Sequence, residues 1–325
     1  MNMPQRPRRN RRTSSLRELS TETILRPENF VWPVFLIEGN GRKEPISTMP
    51  GVFRMSIDIL IEEAIQARHL GIPALALFPA IDDSKKDPLA TESSNPNGLL
   101  PNAIKALKDK VSDLTLITDV AMDPYSCDGH DGLVKNGKIL NDETLPILAE
   151  MALCQAKAGA DMIAPSDMMD GRVGYLRSAL DESGFEEVGI LAYSAKYCSS
   201  LYGPFRQALD SAPKEGDKKT YQLNPANRRE AHREAALDIE EGADMIMVKP
   251  ALSYLDIISD LKDFSPVPVA AYQVSGEYSM LMAGVEKELF TENEAFVESL
   301  TSIKRAGADI ILSYWAKRFC ESQRD

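Results

Sequence analysis

Two lysines each close a strand-like run of the 325-residue chain: Lys196 in LAYSAKY (191–197) and Lys249 in MIMVKPA (245–251). A lysine amine is protonated at neutral pH and is no nucleophile. Burial, or a second cation close by, lowers its pKa far enough for it to attack a ketone. Two lysines in one pocket would each activate the other. A single lysine after a strand is ordinarily a solvated surface residue, so the pair matters only if the architecture brings the two strand ends together.

Short β-rich runs alternate with amphipathic helical stretches along the chain. Eight such runs occur: VWPVFLI (31–37), PALALFP (73–79), LTLITDV (114–120), DMIAP (161–165), VGILAYS (188–194), DMIMVKP (244–250), VPVAAYQ (267–273) and ADIILSY (308–314). Helical periodicity is clear at 56–71, 145–160 and 227–243. Strands this apolar throughout are buried on both faces, as in a parallel sheet. One phrase recurs in KAGADMIAPSD (157–167), EEGADMIMVKP (240–250) and KRAGADIILSYW (304–315), where a glycine ends a helix and the next strand starts at once. An open doubly wound sheet could use the same units, but no glycine-rich dinucleotide or phosphate-loop motif follows the first strand. The pattern therefore predicts an α/β fold, a (β/α)₈ TIM barrel over 31–325, preceded by an extended N-terminal arm over 1–30.

In such a barrel the active site lies at the C-terminal ends of the strands. Those positions hold Asp119 after the third run, Ser166 and Asp167 after the fourth, Lys196 after the fifth, Lys249 after the sixth, Ser275 after the seventh and Tyr314 at the end of the eighth. Two lysines, carboxylates, a serine and a tyrosine at one mouth suit a carbonyl substrate that carries an anion.

Composition narrows the surroundings. A chain that is 43% hydrophobic can bury a large core in one big domain or two smaller ones. Cys127, Cys154, Cys198 and Cys320 form no CxxC pair, which favours reduced thiols over a disulfide framework or a thiolate zinc site. No run approaches a membrane span and no signal-peptide segment opens the chain, so the expectation is a cytoplasmic protein with no membrane partner. A net charge of −12 argues against nucleic-acid binding. The arm has the opposite sign: Arg6, Arg8, Arg9, Arg11, Arg12 and Arg17 occur in the first 17 residues with no acid. Without apolar periodicity it is expected to be disordered or ordered by a partner surface, the acidic body of a sister subunit before an RNA.

The segments AYSAKYCSSLYGPFRQAL (192–209) and ADMIMVKPALSYLDII (243–258) resemble the two lysine signatures of the porphobilinogen synthase (5-aminolaevulinate dehydratase) family. Further matching motifs are MPGVFRMS (49–56), LFP (77–79), APSDMMDGRV (164–173), GDKKTYQLNP (216–225), YQVSGEY (272–278) and ILSYWA (311–316), so the resemblance covers nearly the whole chain. It implies condensation of two molecules of 5-aminolaevulinate to porphobilinogen with loss of two waters, in tetrapyrrole biosynthesis. Lys249 would hold one substrate (the P site) and Lys196 the other (the A site), each as an imine that acts as an electron sink. Arg206, Lys218 and Gln222 would bind one substrate carboxylate, and Ser275 and Tyr314 the other. Tyr193 and Phe205 are expected against substrate, and 197–222 resembles the family's lid. By composition alone that segment is a solvated loop.

The chain departs from the family's zinc-dependent members in DVAMDPYSCDGHDG (119–132). Their three metal-binding cysteines are replaced here by Ala121, Asp123 and Asp131. Zinc favours thiolate and imidazole, so no active-site zinc is expected, and Cys127 and His130 match no ligand position. Asp123 and Asp131 are expected to grip the substrate amine or a cation, and Asp119 to move a proton or orient that amine. Aspartate-rich members use an allosteric magnesium, whose ligand aligns with Glu234, although a glutamate beside Arg228, Arg229 and Arg233 also reads as a solvated salt-bridge residue. The arm would wrap a neighbour, giving dimers that assemble to a homo-octamer. Two other readings share parts of this pattern. A Schiff-base aldolase needs one lysine and one carboxylate clamp, and a non-catalytic RNA-binding or assembly protein would rest on the arm alone.

Overall fold

Eight parallel strands close on themselves in the computed structural model of the chain, which describes residues 3–209 and 211–323. They are β1 Phe30–Leu36, β2 Ala74–Pro79, β3 Thr115–Val120, β4 Met162–Pro165, β5 Gly189–Lys196, β6 Met245–Lys249, β7 Val269–Gln273 and β8 Ile310–Ser313. Each strand pairs with its neighbours in chain order. The ring closes where Phe30 and Val31 of β1 meet Ile311 and Leu312 of β8. The (β/α)₈ barrel expected from the eight runs is the observed fold. All six residues of β2 and all five of β7 are buried, because inner side chains fill the barrel and outer ones lie under helices.

The outer layer includes α2 Ile57–His69, α3 Leu99–Lys110, α4 Asn141–Ala158, α5 Arg172–Glu182, α7 Arg229–Glu240, α8 Leu255–Phe264, α9 Ser275–Glu286, α10 Glu292–Ala306 and α11 Ala316–Ser322. Helix α4 begins four residues before the periodic pattern does. Asp142 and Glu143 in its first turn sit at the positive end of the helix dipole and extend it backwards.

The recurring Gly-Ala-Asp phrase has one structural meaning at all three places. Gly159, Gly242 and Gly307 take left-handed φ values of 105°, 105° and 120°, which end α4, α7 and α10. The aspartate two residues on then turns back to the preceding strand. Asp161 accepts from the Leu116 amide at 2.8 Å, Asp244 from Ile190 at 2.7 Å and Asp309 from Val269 at 2.9 Å. Each carboxylate thus satisfies the first free donor of one strand while its own residue starts the next.

Strand β5 departs from ideal pairing. Ala192 pairs with Ile246 and Ala195 with Val248, so β5 spends one residue more than β6 between them. Such a bulge resets the two-residue alternation of side chains. Tyr193 and Lys196, three apart, both point into the barrel as a result, and Lys196 comes opposite Lys249.

Two excursions cover the barrel mouth. One, 121–132, follows β3 and leads into a hairpin of Leu133–Lys135 and Lys138–Leu140. The other follows β5, runs through α6 Gly203–Leu209, and returns past residue 211 to residue 223, where Leu223 bridges to Tyr197. Ahead of the barrel, the arm holds a 3₁₀ turn at Pro7–Arg11 and a short helix, α1 Ser14–Leu19, capped by the Thr13 hydroxyl. The arm has more local order than its composition suggested, because that cap nucleates a turn. All six arginines remain exposed, and Leu19 is 84% exposed.

Candidate active site

Lys249 stands at the end of β6, nearly buried, inside a box of aromatic rings. Its Nζ lies 4.7 Å from the ring centre of Tyr272, 4.9 Å from Tyr193, 5.1 Å from Phe205 and 5.3 Å from Tyr202. No carboxylate among the described residues bonds to it. Burial, and next the charge of Lys196, bring its pKa down from the usual 10.5 to about 7, against the pull of Asp119, Asp123 and Asp131. That change is worth about 5 kcal/mol. Roughly half the molecules hold a free amine at pH 7.

Lys196 is equally enclosed but differently held. Its Nζ donates to the Ser166 carbonyl at the end of β4 and lies 3.4 Å from Asp131 Oδ2. Asp131 is completely buried and takes three side-chain donors: Lys196, Lys218 at 3.0 Å on Oδ1, and Gln222 at 3.5 Å on Oδ2. Burial alone would raise its pKa, but the two ammonium groups hold it well below the usual carboxylate range. Lys218 also bonds Asp123 at 3.2 Å, and this pair of carboxylates raises the Lys218 pKa despite its burial. Burial raises the Asp123 pKa, and Asp131 opposite adds to the rise against the pull of Lys218 and the weaker pull of Lys196. Asp119, at the top of β3, titrates at about 7 because burial and Asp123 outweigh Lys249, Lys196 and the Ser166 hydroxyl. Neighbouring carboxylates are thus pushed apart, Asp131 fixed as an anion and Asp119 poised to exchange a proton near neutrality.

Most of the residues singled out from the sequence converge here, with different partners from those expected. Asp123 and Asp131 hold Lys218, an ammonium of the lid. Arg206 is half-buried on α6, its guanidinium 6.0 Å from the Tyr202 ring, with no ion pair among the described residues. Ser275, at the start of α9, accepts from the Phe205 amide at 2.9 Å and donates to the Leu201 carbonyl, so it ties the lid to β7. Tyr314 bonds the Tyr272 hydroxyl at 2.9 Å. Phe205 and Tyr193 form two walls of the Lys249 box. Glu234 stands apart on α7, half-buried near Arg172, Asp238 and Asp170. Burial raises its pKa, with Arg172 opposing and the two aspartates adding to the rise. Among the described residues no group of three or more histidine, cysteine, aspartate or glutamate side chains is arranged to hold a metal.

Three contributors were not singled out from the sequence. Tyr202 donates its hydroxyl to the carbonyls of Tyr197 (2.7 Å) and Lys249 (3.0 Å), fixing the backbone that carries the Lys249 amine. Tyr272 supplies a ring face, and only its place in the seventh strand hinted at this. Glu277, buried in the first turn of α9, accepts amides from Val274 (2.6 Å) and from Leu252 (2.5 Å) and Ala251 (3.4 Å) just past Lys249. Burial lifts its pKa to about 7, since three backbone donors only partly replace water.

A closed barrel with two buried lysines in register at adjacent strand ends defines an enzyme of the imine-forming class, acting on carbonyl compounds. Comparison with known proteins narrows this class. Residues 4–322 match the family described as delta-aminolevulinic acid dehydratase, and the chain belongs to that family. The chloroplastic delta-aminolevulinic acid dehydratase of Glycine max is 55% identical over 96% of this chain and 76% of its own length. The enzyme of the same name from Bradyrhizobium diazoefficiens is 49% identical over 98% and 91%. A crystal structure of the porphobilinogen synthase of Toxoplasma gondii ME49, in complex with its reaction product porphobilinogen, superposes with a TM-score of 0.97 at 50% identity, covering 98% of this chain and 92% of that one.

These relatives correct one expectation. The proteins from Glycine max and Hordeum vulgare are named chloroplastic, so the cytoplasmic assignment does not stand. Free cysteines do not separate the cytosol from a plastid interior, because both keep thiols reduced. No described helix is long and apolar enough to cross a membrane.

Proposed function

We propose that this chain is a porphobilinogen synthase, condensing two molecules of 5-aminolaevulinate to porphobilinogen with loss of two waters. Family membership over residues 4–322 supports the reaction. The carrying observation is the register of Lys196 with Lys249 beneath an aromatic, water-poor box. The neutral Lys249 amine attacks the ketone carbon of one substrate, and loss of water leaves an imine. Asp119, with a pKa near 7, accepts and returns the protons of that exchange. Lys196, in its neutral form, attacks the ketone of the second substrate and loses water to give the second imine; one iminium then acidifies its adjacent C–H and the other is the electrophilic carbon. A one-lysine aldolase has no use for the second buried amine.

Arg206, Lys218 and Gln222 bind one substrate carboxylate, and Ser275 and Tyr314 the other. Asp123 and Asp131 receive the substrate ammonium. Lys218 holds both aspartates now, so an incoming ammonium exchanges with a like group, and Lys218 turns to the carboxylate. Ala121 contributes a buried methyl, and Asp123 and Asp131 are committed to cations, a donor set that supports a zinc-free site. Glu234, a half-buried carboxylate with no hydrogen bond among the described residues, suits a hard cation that keeps its waters, and would hold an allosteric magnesium. The arm, over 1–30, reaches a sister subunit. Its exposed arginines complement an acidic body, and its exposed Leu19 and Ile24 need cover, which supports arm-exchanged dimers building an octamer.

The test is porphobilinogen formation from 5-aminolaevulinate by protein stripped with chelator, then titrated with magnesium or zinc. Activity returning with magnesium alone fits the whole reading. Restoration by zinc alone removes the metal assignment and keeps the enzyme, and absence of pyrrole under every condition removes the function.

A further inference from the structure

The excursion that carries Asp131 and the excursion that carries Lys218 are fastened to each other along their length, and His130 is the fastening point. Its Nε2 lies 2.9 Å from the Glu215 carbonyl, which can only accept, so Nε2 carries the hydrogen. In the neutral ring Nδ1 then accepts from the Tyr221 hydroxyl at 3.1 Å. That hydroxyl in turn accepts the Asp131 amide at 3.3 Å. A single directed chain therefore runs from the amide of Asp131 through Tyr221 and His130 to the lid backbone. One turn earlier the Lys214 amide donates to the Asp128 carbonyl at 3.1 Å. Gly129, with φ at 69°, packs so closely that a Cβ there would lie 2.3 Å from the Ala212 carbonyl oxygen.

This chain stands at a boundary. On one side is a cavity of about 750 Å³ between the lid and the hairpin, with His130 and Tyr221 in its wall. On the other is the buried Asp131 carboxylate with Lys196, Lys218 and Gln222. Both ring nitrogens of His130 are engaged, which gives this histidine an occupation other than metal binding.

We infer that His130 and Tyr221 are positioning residues which lock the lid onto the aspartate-bearing loop and thereby set Asp131, Lys218 and Gln222 for substrate capture. The inference deepens the proposed reaction and rests on it for its kinetic readout. Neither side chain touches the reacting atoms, so their loss weakens closure over substrate and leaves the lysine chemistry intact.

The experiment uses the full-length protein with Tyr221→Phe, which removes one oxygen, and His130→Ala as the second variant. With 5-aminolaevulinate, KM is expected to rise about tenfold in Tyr221→Phe, the scale of a lost hydrogen bond to a buried polar group, while kcat stays within about threefold. Trypsin gives an independent readout at the exposed lid residues Lys214 and Lys219. Nicking there is expected to quicken severalfold in both variants without a matching fall in melting temperature. Unchanged KM and unchanged nicking in Tyr221→Phe would overturn the inference, as would a lower kcat and lower melting temperature at constant KM. If the wild-type makes no pyrrole, the functional reading has failed, and the nicking rates alone still decide whether the latch exists.

Discussion

Replacing Lys196 by methionine removes a charge from beside Lys249 while keeping most of the volume, and its effect can be worked from the strands. The two residues are register partners on β5 and β6. Neighbouring strands lie about 4.8 Å apart, and side chains on the same face run alongside each other, so the two nitrogens lie about 5–8 Å apart. At about 7 Å and an effective dielectric of about 20, two unit charges repel by about 2 kcal/mol, roughly 1.5 pH units of titration. Burial, the larger cause of the Lys249 shift, is left in place. Lys249 should therefore titrate between about 8 and 9 in the variant, and its free amine at pH 7 should fall from about half to a few per cent. Pyrrole formation is the wrong assay, because Lys196 is itself expected to react. The right one is the initial rate of 5-aminolaevulinate capture on Lys249, trapped with borohydride, mapped by peptide mass and followed from about pH 5.5 to 10. Lys196→Arg keeps the charge and should keep the midpoint near 7. A wild-type midpoint near 10 would refute the burial argument, and an unmoved midpoint in Lys196→Met would refute the coupling of the pair.

Other outcomes follow from the same charges. Lys249 binds a full proton when unfolded at pH 7 and about half a proton when folded, so its burial costs stability that is greatest below pH 7 and fades towards pH 10.5. Lys249→Met should abolish activity yet raise the melting temperature at pH 6–7 by a few degrees, about 1–3 kcal/mol, read by calorimetry. Asp131→Asn should cost about 3–5 kcal/mol in urea unfolding at pH 7, since it leaves two buried ammonium groups facing an amide. Its folded pKa is depressed, so the gap between wild-type and variant should hold down to about pH 4 and shrink as pH falls further. Gly129→Ala should lose about 1–3 kcal/mol and displace the lid, because the left-handed backbone and the Ala212 carbonyl both oppose a methyl there.

The barrel was legible because its signals are local. Runs of buried residues, a helix-ending glycine and an aspartate at a fixed offset recur within each unit, and eight units admit closure. The strand ends followed from that, and with them Asp119, Lys196, Lys249 and Tyr314. The bulge in β5 was not legible, because an extra residue in an apolar run changes no residue type, yet it alone lets Tyr193 and Lys196 face one way. Nor were the partners of the lid. Lys218 and Asp131 are 87 residues apart, and nothing near either one says that they meet. Glu277 reads as an ordinary first-turn acid, since six of the eleven α-helices described carry one. Its burial and its hold on the loop beyond Lys249 come only from packing. The arm's short helix was missed for the reverse reason: one threonine cap outweighed an unpromising composition.

The repeated aspartates at the base of the barrel carry a different kind of consequence. Asp161, Asp244 and Asp309 each bind the strand before their own through a contact written within a single βα unit. Neighbour choice in three of the eight seams is therefore an address borne by the unit and independent of whatever the mouth contains. A chain assembled this way can rewrite its rim, cysteine to aspartate or lid to shorter loop, without disturbing the order in which its staves come together. The chemistry sits at one end of the barrel and the assembly code at the other, and mutation can explore the first while selection holds the second.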